Sequence, residues 1–371
     1  MTRVLLLSAG FGDGHRQVAN ALRESFIQRD VTVFEVDCFE NTNLFLAKVN
    51  QWLYEVTTRY FPALYGFIYR KTANLSPNHV LWKWLSLFSR KAFVRALKLY
   101  QPDIVLQLFP DHGVEFVPRQ HVKPFIGAVI TDFSVHSHWF HPNVDAYFIP
   151  HSAMKSDMEA FVSSGAKIID SGIPIRNQFV MNHNAPTHPD TPYILFATGG
   201  RGLFPDLENV IQTILTKLPT VDVYVMCGRN TAMLRRIETL IPGCRRLRAL
   251  PYVDNVAELF RGASLAVVKA GGVTVSECLV SQCPMIFYRP QPGQEADNAD
   301  FLERMGAGKV VRNERDLIDI LTNRTFWSEI ARMKEVCASL AHPDASDVIA
   351  EYVLGQVHQH ATQSPQYSQV K

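Results

Sequence analysis

The 371-residue chain lacks any run of 18 consecutive apolar residues, so a spanning helix is not expected. Its six cysteines, at positions 38, 227, 244, 278, 283 and 337, form no CxxC pair. That excludes a disulfide framework and leaves reduced, buried thiols as the default. An excess of one charge is also missing. Lys and Arg number 37 against 35 Asp and Glu, a net charge of +2, which removes any global case for nucleic-acid binding. There is no HExxH and no Cys/His pairing to suggest zinc. The first glycine turn lacks the third glycine of GxGxxG, which counts against an NAD-dependent oxidoreductase.

What is present describes a folded chain. A hydrophobic fraction of 47% with 19% charged residues excludes disorder, and the length suits two domains or three. The N-terminus MTRVLLLSAG runs directly into GFGDGH without a cleavage site. It reads as a first strand, which places the expected location in the cytoplasm. Short apolar runs recur at VLLLS (4–8), VTVFEV (31–36), DIVLQLF (103–109), PFIGAVI (124–130) and AYFIP (146–150), with helical stretches between them. The pattern restarts at YILFATGG (193–200), VDVYVMCG (221–228), LAVVKAGG (265–272) and PMIFYRP (284–290). Such alternation predicts two doubly wound α/β domains with parallel sheets. The expected boundaries are 1–178, a linker at 179–192 rich in Asn, His and Pro, a second domain at 193–360, and a disordered tail at 361–371.

Three strand-to-helix turns are candidates for anion binding, because backbone amides at a helix N-terminus favour negative charge. The first holds Gly12, Gly14 and His15, the second Gly199, Gly200 and Arg201, the third Gly271, Gly272 and Thr274. A helix N-terminus keeps an imidazole such as His15 neutral, and a neutral imidazole can act as a general base. Arg201 could add a charge-assisted contact to a diphosphate. Glu277 lies one turn into the helix after Gly272, where it serves either a ribose diol or the helix dipole. Gln294, Glu295, Asp297 and Asn298 follow a Pro-Gly turn and suit either sugar hydroxyls or a capped helix start. Asp132, His136, His138, Trp139 and His141 form the densest polar and aromatic cluster.

Charge is unevenly spread. Residues 44–100 carry nine Lys/Arg and one acid, Glu55, a local +8 that leaves the remainder at −6. The same stretch holds 13 of the 40 aromatics. Trp82, Lys83, Trp84, Phe88, Arg90, Lys91 and Arg95 therefore suit the interface of an anionic bilayer, with a packed core and solvated face as the other reading.

Taken together, SAGFGDGHRQVANAL, ITDFSVHSHWFHPNVDAYFIP, SGIPIRNQF, LPYVDNVAELF and VKAGGVTVSECLVSQCPMIFYRPQPGQEADNADFL, in this order, resemble the processive diacylglycerol glucosyltransferases and plant monogalactosyldiacylglycerol synthases. The resemblance runs from about residue 3 to 355, and is most specific at TDFxxHxxW and from Gly271 to Asn298. It implies a GT-B fold with two facing Rossmann-like domains and a deep cleft. It also implies a hexose, glucose or galactose, moved from a UDP-sugar to diacylglycerol or another lipid at the inner membrane face. By motif, Val253 would meet uracil, Gly271, Gly272 and Thr274 the diphosphate, Glu277 the ribose, and Gln294 and Glu295 the hexose, with Asn298 supporting their loop. His15 matches the family's functionally important histidine, and Asp132 is the other candidate base. Gly12, Gly14, His136 and Trp139 would lie on the acceptor side. The family's KPGG is Lys269-Ala270-Gly271-Gly272 here, which keeps both glycines. No DxD motif stands at a plausible donor position, so no obligatory metal or other cofactor is expected. Partners would be a UDP-hexose, diacylglycerol and an anionic phospholipid surface. A membrane-docked nucleotide-sugar sensor is the non-enzymatic alternative.

Overall fold

The structure is a computed structural model that describes residues 1–9, 13–37, 61–117, 123–181, 191–197, 204 and 207–363. The strands among them are β1 (Arg3–Ser8), β2 (Thr32–Asp37), β3 (Ile104–Gln107), β4 (Phe125–Val129), β5 (Ala146–Ile149), β6 (Lys167–Asp170), β7 (Tyr193–Ala197), β8 (Asp222–Gly228), β9 (Leu247–Pro251), β10 (Leu265–Val268), β11 (Met285–Tyr288) and β12 (Gly308–Val311). The helices of eight residues or more are α1 (Asp13–Ile27), α2 (Pro62–Ala73), α3 (Val80–Tyr100), α4 (Leu207–Lys217), α5 (Thr231–Glu238), α6 (Gly272–Val280), α7 (Gln294–Met305), α8 (Glu314–Thr322), α9 (Arg324–Leu340) and α10 (Ala345–Gln363).

Every pairing is parallel, in two six-stranded sheets ordered β2-β1-β3-β4-β5-β6 and β12-β11-β10-β7-β8-β9. A parallel strand covered on both faces must be apolar on both, and the inner strands β3, β4, β5, β7, β10 and β11 are buried along their whole length. Each fully buried Leu, Ile or Phe in them contributes roughly 1.5–3 kcal/mol. All six stand out as apolar runs, as do β1, β2 and β8. Three strands that do not, β6, β9 and β12, lie at sheet edges and are partly exposed, so they need no continuous apolar stretch.

The chain forms two compact units. One comprises Met1–Thr131, Val135–Pro174 and the segment from Asp344 onward; the other comprises Asp132–Ser134 and Ile175–Pro343. Sequence order groups residues up to 360 with the second half, but α10 packs in the first unit. Its Ile349, Ala350 and Val353 are fully buried, and Tyr352 meets Phe125 and Phe148 edge-on. Arg29, in the turn after α1, adds ion pairs to Asp347 (2.8 Å) and Glu351 (2.9 Å). Those pairs are partly exposed and stabilise by about 0–1 kcal/mol each, so apolar burial holds the helix. The linker expectation falls mainly on 182–190 and the tail expectation on 364–371, both outside the described residues. Cys227, Cys278, Cys283 and Cys337 are buried free thiols, and Cys38 lies outside the described residues.

Candidate active site

In the first sheet the strand order turns at β1, which sits between β2 and β3. The carboxyl ends of strands at such a switch point form the usual ligand crevice of doubly wound folds. His15 lies there, in the first turn of α1 beyond β1. Its Nδ1 is 2.8 Å from the Leu108 carbonyl oxygen, just past β3. A carbonyl only accepts, so Nδ1 carries the proton and Nε2 presents its lone pair. Burial lowers the His15 pKa to about 4, against the opposing pull of the Leu108 carbonyl. The imidazole is therefore neutral at pH 7 and able to take a proton. Gly14 is half-buried beside it, and Gly12 lies outside the described residues.

The imidazoles after β4 are held by hydrogen bonds and ring packing. His136 Nδ1 accepts from the His138 amide (3.2 Å), so Nε2 is the donor to Thr72 Oγ1 on α2 (3.2 Å). Ser137 Oγ donates to the Thr72 carbonyl at 2.9 Å. His138 stacks on Trp82 of α3, ring centroids 4.3 Å apart at 15°. Of the two expected on the acceptor side, His136 is buried in this clamp and Trp139 is buried beside it in the chain. Among the described residues no group of three or more His, Cys, Asp or Glu converges on a metal position.

Trp82 also departs from the bilayer expectation. On α3 the residues 82, 86, 89, 93 and 96 form a buried stripe at helical spacing, and Trp82 is only 3% exposed. Trp84, two positions on and therefore across the helix, is 57% exposed, as is its neighbour Leu87 at 52%. Lys83, Arg90, Lys91, Arg95 and Lys98 share the exposed face. Arg90, Lys91, Val94, Arg95, Lys98 and Leu99 line an open groove of about 750 Å³. The side chain of Phe88 lies outside the described residues. No helix of the described residues is long and apolar enough to cross a membrane.

In the second sheet the order turns between β7 and β10. The turn after β7, with Gly199, Gly200 and Arg201, lies outside the described residues. The turn after β10 opens α6, whose N-cap Gly271 supplies no side-chain cap. A Cβ at Gly271 would meet nothing within 4 Å. Among the described residues there is thus room beside the N-cap, and first-turn helix amides are the groups that can receive an anion. Thr274 and Val253, the latter just past β9, are half-buried.

Glu277 is 2% exposed, and each of its two oxygens accepts once from Arg176, leaving a second lone pair on each. Arg176 donates to it from Nε (2.6 Å) and from Nη2 (2.9 Å). Burial raises the Glu277 pKa and Arg176 opposes the rise. The forked geometry is the one by which a guanidinium recognises a carboxylate. Arg176, in SGIPIRNQF, escaped functional notice in the sequence because its partner stands 101 residues away.

Gly293, at φ 103°, turns the chain into α7 with a backbone that only glycine adopts readily. In the first turn Glu295 Oε2 accepts from the Gln291 amide (3.1 Å), and Gln294 is half-buried. One turn on, fully buried Asn298 accepts from the Phe133 amide (2.6 Å) and donates to Asp132 Oδ1 (3.2 Å) and the Ala270 carbonyl (2.9 Å). Burial raises the Asp132 pKa to about 6, with Asn298 opposing and Asp297 and Glu295 adding to the rise.

These features meet known proteins at several points. Residues 15–175 match the family described as monogalactosyldiacylglycerol (MGDG) synthase, and residues 194–334 the glycosyltransferase family 28 C-terminal domain. The chain is 31% identical to a processive diacylglycerol beta-glucosyltransferase of Bacillus cereus over 369 residues, spanning 96% of this chain and 94% of that one. A protein of the same description from Bacillus mycoides is 30% identical over 368 residues, with the same coverage. Among solved structures the fold resembles MurG of Acinetobacter baumannii, with TM-score 0.64 and 15% identity over 96% of this chain and 100% of that one. It also resembles the calicheamicin glycosyltransferase CalG4, with TM-score 0.59 and 14% identity over 96% of this chain and 99% of that one. Two doubly wound parallel sheets of this kind are the GT-B fold class that these solved structures share. Within it, the chain belongs to the family of processive diacylglycerol glucosyltransferases and monogalactosyldiacylglycerol synthases, and is a UDP-sugar-dependent glycosyltransferase.

Proposed function

We propose that the enzyme moves a hexose, glucose in the first place, from a UDP-sugar to the free hydroxyl of diacylglycerol with inversion at the anomeric carbon. The reaction takes place at the cytoplasmic face of the membrane, and the product can serve as acceptor for a further sugar. The first unit takes the lipid and the second the nucleotide sugar. The observation that carries this reading is the neutral His15 imidazole with Nδ1 committed to Leu108 and Nε2 free to accept.

The acceptor hydroxyl gives its proton to His15 Nε2 as its oxygen bonds to the anomeric carbon. The bond from that carbon to the phosphate oxygen breaks, and its electron pair leaves on UDP. The α6 amides at Gly271, Gly272 and Thr274, with Gly199, Gly200 and Arg201, stabilise the negative charge on the diphosphate. Val253 meets uracil through its backbone, Glu277 accepts from the ribose diol, and Gln294 and Glu295 hold the hexose. The exposed cations of α3 meet anionic head groups. UDP release from UDP-glucose should rise sharply when diacylglycerol vesicles are added, and mass spectrometry should find glucosyl-diacylglycerol. Release that ignores the lipid would support a nucleotide-sugar sensor instead. The match to a galactolipid synthase family makes UDP-galactose the second donor to try, and a galactosyl product would select it.

Glu277 provides a separate test of the donor site. Glu277→Gln keeps one bond to Arg176 and removes the charge, so the fold should survive. A hydrogen bond to a charged group is worth on the order of 1.5–3 kcal/mol, so UDP affinity by calorimetry should fall about 10- to 150-fold. Unchanged affinity would remove Glu277 from the nucleotide site.

A further inference from the structure

Three residues are out of place in the chain's own division. Asp132–Ser134 pack with the second unit, although the residues on both sides of them pack with the first. Asn298 is what holds them. Its carbonyl oxygen accepts from the Phe133 amide, and both its amide hydrogens are used, one on Asp132 Oδ1 and one on the Ala270 carbonyl. Phe133, itself buried, packs on Phe301 one turn further along α7, with centroids 5.4 Å apart. A fully buried asparagine with every polar atom satisfied is a rigid fitting, because breaking any one bond leaves a desolvated group unpaired.

This fitting fixes what Asp132 can do. Ala270 immediately precedes the open N-terminus of α6, and Asn298 lies one turn beyond Gln294 and Glu295. The Asp132 carboxyl is therefore held on the same Asn298 amide that bonds the residue before the α6 N-cap, one turn along α7 from Gln294 and Glu295. Oδ1 is taken by Asn298, while Oδ2 has no hydrogen-bond partner among the described residues. Glu295 and Asp297 are close enough to act on it electrostatically. Three carboxylates repel a phosphate, so this is not a diphosphate contact. An acceptor among acids suits hydroxyl donors, and the hydroxyl-rich part of a nucleotide sugar, apart from the ribose, is the hexose.

We propose that Asp132 is a specificity-determining contact to the hydroxyls of the transferred hexose, and that Asn298 is the positioning residue that carries it there. The proposal rests on the reading of the first turn of α7 as the hexose subsite. It gives Asp132 to the donor and leaves proton removal from the acceptor to His15.

Calorimetry with UDP-glucose and with UDP tests both levels. Asp132→Ala should weaken UDP-glucose about 10- to 100-fold while UDP stays within about twofold, since a lost hydrogen bond to a charged group falls in that range. Asn298→Ala should do the same, and the double variant should lose no more than either alone. A merely structural asparagine would weaken both ligands together. Asp132→Asn keeps the bond from Asn298 and guards against an unfolded variant; it should show the same selective loss, to a smaller extent. Gln294→Ala separates the two ideas. If it weakens UDP-glucose selectively and neither Asp132 variant does, the proposal is wrong and the hexose subsite stands. If Gln294→Ala also treats the two ligands alike, the subsite reading fails and the proposal falls with it. Unchanged UDP-glucose affinity with a kcat loss of 10²-fold or more in Asp132→Asn would make Asp132 the base and overturn the proposal.

Discussion

Replacing His15 by glutamine should lower kcat about 10²- to 10⁴-fold while UDP still binds, the usual contribution of a general base. Glutamine can still donate to the Leu108 carbonyl, so α1 and β3 keep their link, but it cannot accept a proton at neutral pH. The UDP contacts proposed for the second unit are untouched. The pH profile adds a second, independent reading. With a pKa of about 4, His15 is deprotonated above that value and loses competence only as pH falls through it. At saturating donor and acceptor, kcat should therefore hold from pH 7 down to about 5, with circular dichroism confirming that the chain is folded. An acid limb near 6 would instead follow the raised pKa of Asp132. Near-normal turnover in His15→Gln would move the base role away from His15 altogether.

Changing Lys83, Arg90, Lys91 and Arg95 together to glutamine should largely abolish binding to vesicles that contain anionic lipid. All four side chains are exposed on α3, and α2 and α3 together carry no acid. Each basic residue near an anionic surface adds about 1 kcal/mol, so four amount to roughly a thousandfold in the partition coefficient at low salt. Screening over about 8–10 Å makes the loss smaller as salt rises. Neutral vesicles should bind more weakly and with little salt dependence, now through Trp84 and Leu87, with Phe67 of α2 (53% exposed) added. Trp82 should contribute nothing, being buried against His138. UDP affinity should not change. A quadruple variant that sediments with anionic vesicles as well as the parent would mean that this face is only a solvated surface.

Much of this protein is determined by its sequence alone. Strands buried on both faces must be apolar throughout, so β1, β3, β4, β5, β7, β10 and β11 stand out as runs, and the glycines that follow β1, β7 and β10 mark the strand-to-helix turns of a doubly wound fold. Motif spacing from Gly271 to Asn298 and around Asp132 places the chain in its family. Periodicity, however, reports only neighbours within a few residues. It could not reveal that Arg176 grips Glu277 across 101 positions, or that Asn298 takes hold of Phe133 across 165. Nor could it divide the aromatics of α3, where Trp82 and Trp84 look alike in composition and differ only in which side of the helix meets the imidazole loop. Edge strands β6, β9 and β12 and the return of α10 to the first unit were also hidden. Partial exposure removes the apolar signal, and chain crossings are chosen by which surfaces are left to bury once the sheets have formed.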